Sequence, residues 1–133
     1  MDDKTLAAKA KAAMEGSYAP YSNFHVGAAL LSEDGEIFQG ANVENISLGL
    51  SVCAERNAVT TAVNAGHRRF AKVAIASDGE KSVPPCGACR QVLREFCDDM
   101  EVLLVDADGS WRKFQLSDLM PEAFVQFPRE SGS

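Results

Sequence analysis

The sequence predicts an α/β domain built on a mixed sheet of about five strands with helices packed over it. Three observations point there. An apolar pair of runs split by a turn signal opens the sheet as a hairpin. Stretches of helical and strand periodicity then alternate along the chain. The composition, 46% hydrophobic and 24% charged, is that of an ordinary packed domain. At 133 residues the chain has the length of one domain, so residues 1–133 are expected to form a single unit.

Leu6, Ala10, Ala13 and Met14 recur at i, i+4, i+7 and i+8, which predicts an amphipathic first helix that Gly16 can stop. SYAPYSNF reads as a loop. VGAALLS and EIFQGAN are two short strands, and the Asp34–Gly35 pair between them favours a tight antiparallel turn. From Cys53 the period changes, and Ala54, Ala58, Val59, Ala62 and Val63 share one helical face that ends at Gly66. KVAIAS is a nearly continuous apolar strand and SDGEKSVPP is a loop. Cys89, Val92, Leu93, Phe96 and Cys97 mark the apolar side of a third helix. EVLLVD is a strand, DADGS a turn, WRKFQL an edge strand and SDLM a short terminal helix. Strand–helix–strand crossovers place helices on sheet faces and collect functional groups at one sheet end.

The formal charge of −6 and pI near 4.8 offer no basic field to a phosphate backbone, so polymeric nucleic acid is not an expected partner. The N-terminal stretch lacks the apolar core of a signal peptide, and no run reaches the roughly 20 apolar residues of a membrane span. The expected location is cytoplasmic, with no membrane partner. Four cysteines in that compartment read first as metal ligands or redox groups.

Cys86 and Cys89 flank two small residues at the start of the third helix, and Cys53 begins the second. The partial positive charge of a helix N-terminus lowers the cost of a thiolate at each place. Three thiolates suit zinc, and a tetrahedral ion with three protein ligands keeps a fourth position for water. Cys97, eight residues beyond Cys89, reads as a buried free thiol. Glu55 lies one turn position from Cys53, where a carboxylate can exchange protons with water on the ion. Taken alone, Glu55 serves equally well as a partner of the helix dipole. Arg56 can hydrogen-bond the sulfurs and offset the net negative charge of three thiolates on one zinc.

Cysteine–Ala–Glu followed by Pro–Cys–x–x–Cys resembles the zinc-dependent nucleoside and nucleobase deaminase signature. YSNFHVGAAL (21–30), GANVEN (40–45), VCAERNAV (52–59), PCGACRQVLREF (85–96) and LMPEAF (119–124) are similar to the small homotetrameric cytidine deaminases. The resemblance runs from about Tyr18 to Phe124 and implies a three-layer α/β/α fold. It also implies hydrolysis of cytidine and 2′-deoxycytidine to uridine and 2′-deoxyuridine with release of ammonia, in pyrimidine salvage. A zinc-activated hydroxide and Glu55 as proton shuttle would perform it, with one zinc per chain on Cys53, Cys86 and Cys89. Asn42 and Glu44 match positions that bind the ribose, chiefly its 3′-hydroxyl. Phe24 matches a pocket aromatic, the Ala54 backbone holds the pyrimidine, and Phe124 matches an aromatic that completes a neighbouring subunit's site.

The residues themselves lend support to Asn42 and Glu44, which alternate at a strand end and so face one way. Phe24 and Phe124 are equally readable as core aromatics. Two positions depart from the family pattern: Ala41 stands where cysteine is common, and Leu48 where an aromatic is frequent. His25 and His67 read as exposed residues rather than ligands. The rival readings are a deaminase of blasticidin-type nucleosides and a redox protein using CGAC as a dithiol switch; the latter leaves Cys53 and Glu55 unexplained.

Overall fold

The computed structural model describes residues 2–127, so Met1 and residues 128–133 of the expected single domain lie outside the described residues. Five strands form one sheet: β1 (Val26–Ser32), β2 (Ile37–Ala41), β3 (Phe70–Ser77), β4 (Glu101–Val105) and β5 (Trp111–Gln115). Their spatial order is β2-β1-β3-β4-β5. Only β3 and β4 run parallel, and the other neighbouring pairs are antiparallel. The sheet is mixed, as the sequence predicts.

Alternation along the strands supplies two apolar faces. Ala29, Leu31, Ala74, Leu103 and Val105 lie under helix α1 (Asp3–Ala13), with its Leu6, Ala7 and Ala10. Leu30, Val73, Ile75, Val102 and Leu104 lie under α2 (Ala54–Asn64) and α3 (Gly87–Arg94). The result is three layers, α/β/α. A short α4 (Leu116–Leu119) follows β5 and is held to α3 by Arg90, whose Nη1 donates to the Leu119 carbonyl at 2.7 Å.

Two glycines let the helices approach the hairpin from opposite sides. A Cβ on Gly27 would sit 2.2 Å from the Ala10 carbonyl oxygen, and one on Gly40 would sit 2.4 Å from the Ala58 nitrogen. Both neighbours are backbone, so neither position admits a side chain without moving a helix. The first glycine seats α1; the second seats α2, which carries Glu55.

Several boundaries differ from expectation. The first helix ends at Ala13, and Met14 begins a 3-10 turn (Met14–Gly16) anchored by the Ser17 N–H to the Met14 carbonyl. The third helix stops at Arg94, short of Phe96 and Cys97. The Glu95 and Phe96 N–H groups tighten onto Val92 and Leu93, and the Phe96 carbonyl accepts from Phe70 of β3. The apolar stripe continues past the helix because Phe96 packs on Phe70, ring centroids 5.6 Å apart. Cys97 is buried, and its thiol donates to the Leu93 carbonyl at 3.3 Å. A 3-10 turn at Leu48–Leu50 had no sequence signal.

The histidines also correct the reading, since both are half-buried. His67 Nε2 lies 2.7 Å from Glu36 and Nδ1 lies 3.3 Å from Asp34, with the ring tilted over Phe38. It meets the hairpin turn from just beyond the C-terminal end of α2. His25 meets Ser17 instead of solvent, at 2.9 Å.

β2 and β3 point the same way, so the helices that follow them start at one end of the sheet. β1 runs opposite and begins at that same end. Loops leading into β1, α2 and α3 therefore meet there.

Candidate active site

Cys53 is the N-cap residue of α2 and Cys86 is the N-cap of α3; neither side chain caps its own helix. Cys89 sits three residues beyond Cys86, the spacing at which an N-cap side chain and one in the first turn stand side by side. The Cys86 and Cys89 sulfurs are 3.5 Å apart, and all three Sγ atoms lie within 4.8 Å of one another. A tetrahedral ion with Zn–S bonds of about 2.3 Å needs sulfurs about 3.8 Å apart. The cluster fits it.

The same spacing brings Arg56 back toward Cys53. Its Nη2 lies 3.9 Å from the Cys53 sulfur and donates to the Ser51 carbonyl at 3.2 Å, while its buried Nε has no partner. A permanent cation is thus fixed beside the thiolates, where it offsets part of their charge. The Cys89 thiol hydrogen-bonded to Cys53, followed by Arg56, draws Cys53 down to about 5. Cys89 moves upward, because it holds the shared proton and is buried. Cys97, away from this cluster, is pushed up to about 11 by burial alone in the main. Such a thiol is inert.

Glu55 occupies the second position of α2 and is only 5% exposed. Burial strips water from its carboxyl and raises its pKa, and the charge on Cys53 adds to the rise. A carboxyl raised in this way holds a proton more readily than an ordinary glutamate, which suits a group that must both take and return one.

A pocket of about 250 Å³ opens beside the sulfurs, and Phe24, Asn42, Glu44, Cys53, Ala54, Glu55 and Cys86 all line it. Glu44 is held by the loop that precedes β1. Its Oε1 accepts from the Tyr21 and Ser22 N–H groups at 3.0 and 3.1 Å, and its Oε2 accepts from the Ser22 hydroxyl. The Ser22 hydroxyl keeps the Glu44 carboxyl below the ordinary value of 4.5. Asn23 takes a positive φ of 56°, which asparagine tolerates better than most residues, and turns the chain into Phe24.

Phe124 is not part of its own chain's pocket. It is 58% exposed, stands edge-on to Phe127 at 5.5 Å, and its carbonyl accepts from Gln91. Sequence reasoning passed over the apolar wall made by Val26, Val52, Ile75, Val83 and Pro84. The Pro84–Pro85 pair was its one signal, a stiff approach to Cys86; the rest come from separate elements and carry none.

Residues 1–105 match the family model described as the cytidine and deoxycytidylate deaminase zinc-binding region. The chain belongs to this zinc-binding deaminase family. It is similar to a cytidine deaminase of Halalkalibacterium halodurans, 47% identical over 94% of this chain and 96% of that one. Among solved structures it is similar to the cytidine deaminase of Burkholderia pseudomallei, with 48% identity, a TM-score of 0.88, and coverage of 93% of this chain and all of the other. A cytidine deaminase from Mycobacterium tuberculosis superposes with a TM-score of 0.83 at 39% identity, over 95% of this chain and 99% of that one. The deaminase is thus a zinc-dependent enzyme whose three-cysteine cluster can hold one ion. No helix among the described residues is long and apolar enough to cross a membrane.

Proposed function

We propose that this deaminase hydrolyses cytidine and 2′-deoxycytidine to uridine and 2′-deoxyuridine, releasing ammonia, as a pyrimidine-salvage enzyme of the cytoplasm. The observation that carries the reading is one pocket lined both by the buried Glu55 carboxyl with Cys53 and Cys86 of the three-thiol cluster and by Asn42 and Glu44. The first group suits hydrolysis of an amine. The second suits a sugar hydroxyl.

Cys53, Cys86 and Cys89 would hold the zinc, which when bound would supply a Lewis acid that acidifies a pocket water. Glu55 takes a proton from the attacking water and hands it to N3 of the pyrimidine as the oxygen adds to C4. It then takes the remaining proton from the oxygen now on C4 and passes it to the exocyclic amine; as the C4–N bond breaks the C4=O bond forms, and ammonia leaves. One carboxyl serves as base and acid in turn, which its burial favours. Arg56 steadies Cys53. The Ala54 backbone lies in the pocket wall to hold the pyrimidine, Phe24 packs beside it, and Asn42 and Glu44 bind the ribose hydroxyl. Phe124, exposed on its own subunit, reaches a neighbour's pocket in a homotetramer.

Ultraviolet assay of cytidine conversion to uridine, with and without a chelator, tests the reading. The expected result is turnover that chelation removes and added zinc restores. Zinc-loaded enzyme that forms no uridine would sink it.

A further inference from the structure

Asn42 is held by partners that fix which way its amide points. The Val26 backbone N–H, which can only donate, lies 2.9 Å from Oδ1; the Phe24 carbonyl, which can only accept, lies 2.8 Å from Nδ2. The reversed amide would face donor with donor and acceptor with acceptor, so the orientation is settled by chemistry. Ser17 Oγ lies 2.5 Å from the same Oδ1. An amide oxygen cannot donate, so the Ser17 hydroxyl must give its one proton there. His25 Nδ1, 2.9 Å from Ser17 Oγ, then faces only lone pairs and must itself carry a proton. The His25 backbone is pinned on both sides by Asp78, whose carboxylate accepts from the His25 N–H and whose N–H donates to the His25 carbonyl.

We infer that His25 and Ser17 form a one-way hydrogen-bond relay, Nδ1–H to Oγ–H to Asn42 Oδ1, that positions Asn42 for the nucleoside sugar. Both lone-pair directions of Oδ1 are occupied, and one Nδ2 hydrogen is spent on Phe24. The second Nδ2 hydrogen is the polar valence left on this pocket residue. Asn42 therefore meets the sugar as a donor only, while Glu44, ionised, meets it as an acceptor only. A hydroxyl can satisfy both at once, and an ether or a hydrogen cannot. Successive hydrogen bonds polarise one another, so the relay also strengthens that last donor. Ser17 and His25 touch no substrate and are positioning residues. Their kinetic consequence rests on the deaminase reading; their geometry does not.

Nitrogen-15 NMR of zinc-loaded protein tests the relay directly. His25 is expected to carry its proton at Nδ1 in the native protein and to lose that preference in Ser17→Ala. A neutral His25 with Nδ1 bare and Nε2 protonated overturns the relay. Kinetics supply the second arm: Ser17→Ala should raise KM for cytidine about three- to tenfold, the scale of one lost hydrogen bond, with kcat changed less than twofold. Ser17→Thr, which keeps the hydroxyl, should restore KM. With 3′-deoxycytidine the penalty of Ser17→Ala should shrink toward nothing. An unchanged KM in Ser17→Ala, or an equal penalty with 3′-deoxycytidine, overturns the positioning role. Native enzyme inert toward cytidine counts against the deaminase reading instead, and the NMR result then decides the relay.

Discussion

The two walls of the pocket are built in opposite ways. The sulfur wall comes from helix starts, where N-cap and first-turn positions bring Cys86 to Cys89 and Cys53 to Arg56 by local spacing. The wall proposed to take the sugar comes from loops that lean on each other across more than fifteen residues of sequence, with Asn42 tied to Ser17, Phe24 and Val26, and Glu44 tied to Tyr21 and Ser22. Chemistry here is specified locally, recognition by distant contacts. The difference predicts that damage to one wall shows in turnover and damage to the other in KM.

The largest effect should come from Cys89→Ala, which removes the buried sulfur of the cluster. Zinc content should fall far below one per chain and activity to background; full zinc with native rates would remove Cys89 from the metal site. Glu55→Ala comes next. Zinc should remain, measured by atomic absorption, while kcat drops about 10²- to 10⁴-fold, the usual worth of a positioned general acid–base. Near-normal turnover in that variant would leave Glu55 as no more than a partner of the helix dipole.

On the sugar wall, Ser22→Ala should raise KM a few-fold at neutral pH and leave kcat close to native, because Glu44 keeps two backbone donors. Its pH profile sharpens the point. Glu44 titrates below 4.5 in the native fold, chiefly because the Ser22 hydroxyl favours the charged form. Its acceptor role therefore persists as pH falls past 4.5 and fails only as pH passes through the lowered value. In Ser22→Ala the acid rise of KM should begin at higher pH; overlapping profiles would contradict this wall's design.

The smallest effect is expected far from both walls. Asp3 at the start of α1 lies 2.8 Å from Lys72 and 2.6 Å from Lys113. Hydrogen bonds from Lys113 and Lys72 hold its carboxyl below 3.8. A group with a depressed folded pKa contributes stability above its unfolded value and loses it as pH falls through the folded one. Asp3→Asn should lower Tm by about 2 to 4 °C at neutral pH, with the gap closing below 3.8, and should leave KM and kcat alone. A change in either constant would tie α1 to the pocket.

The same contrast explains what the sequence disclosed. Cysteine spacing, Glu55 and Arg56 were readable because helix starts obey fixed offsets, and the strands and helices were readable because their periods survive in single segments. The relay through Ser17 and the half-burial of His25 and His67 were not, since nothing near a histidine in sequence announces a partner eight or thirty residues away. The third helix ends before its apolar stripe does for a related reason. Its apolar stripe marks burial, and Phe96 stays buried against Phe70 after the helix has ended.

Cys97 gives the enzyme an internal reference for its metal. Three sulfurs lie within 4.8 Å of one another and can hold one ion, while the fourth is sealed in the core with its proton held tightly. A colorimetric thiol reagent thus distinguishes two kinds of failure by stoichiometry. Withdrawal of zinc from folded protein should expose Cys86 and the half-buried Cys53 to the reagent, while the buried Cys89 and Cys97 answer fully only when the chain unfolds.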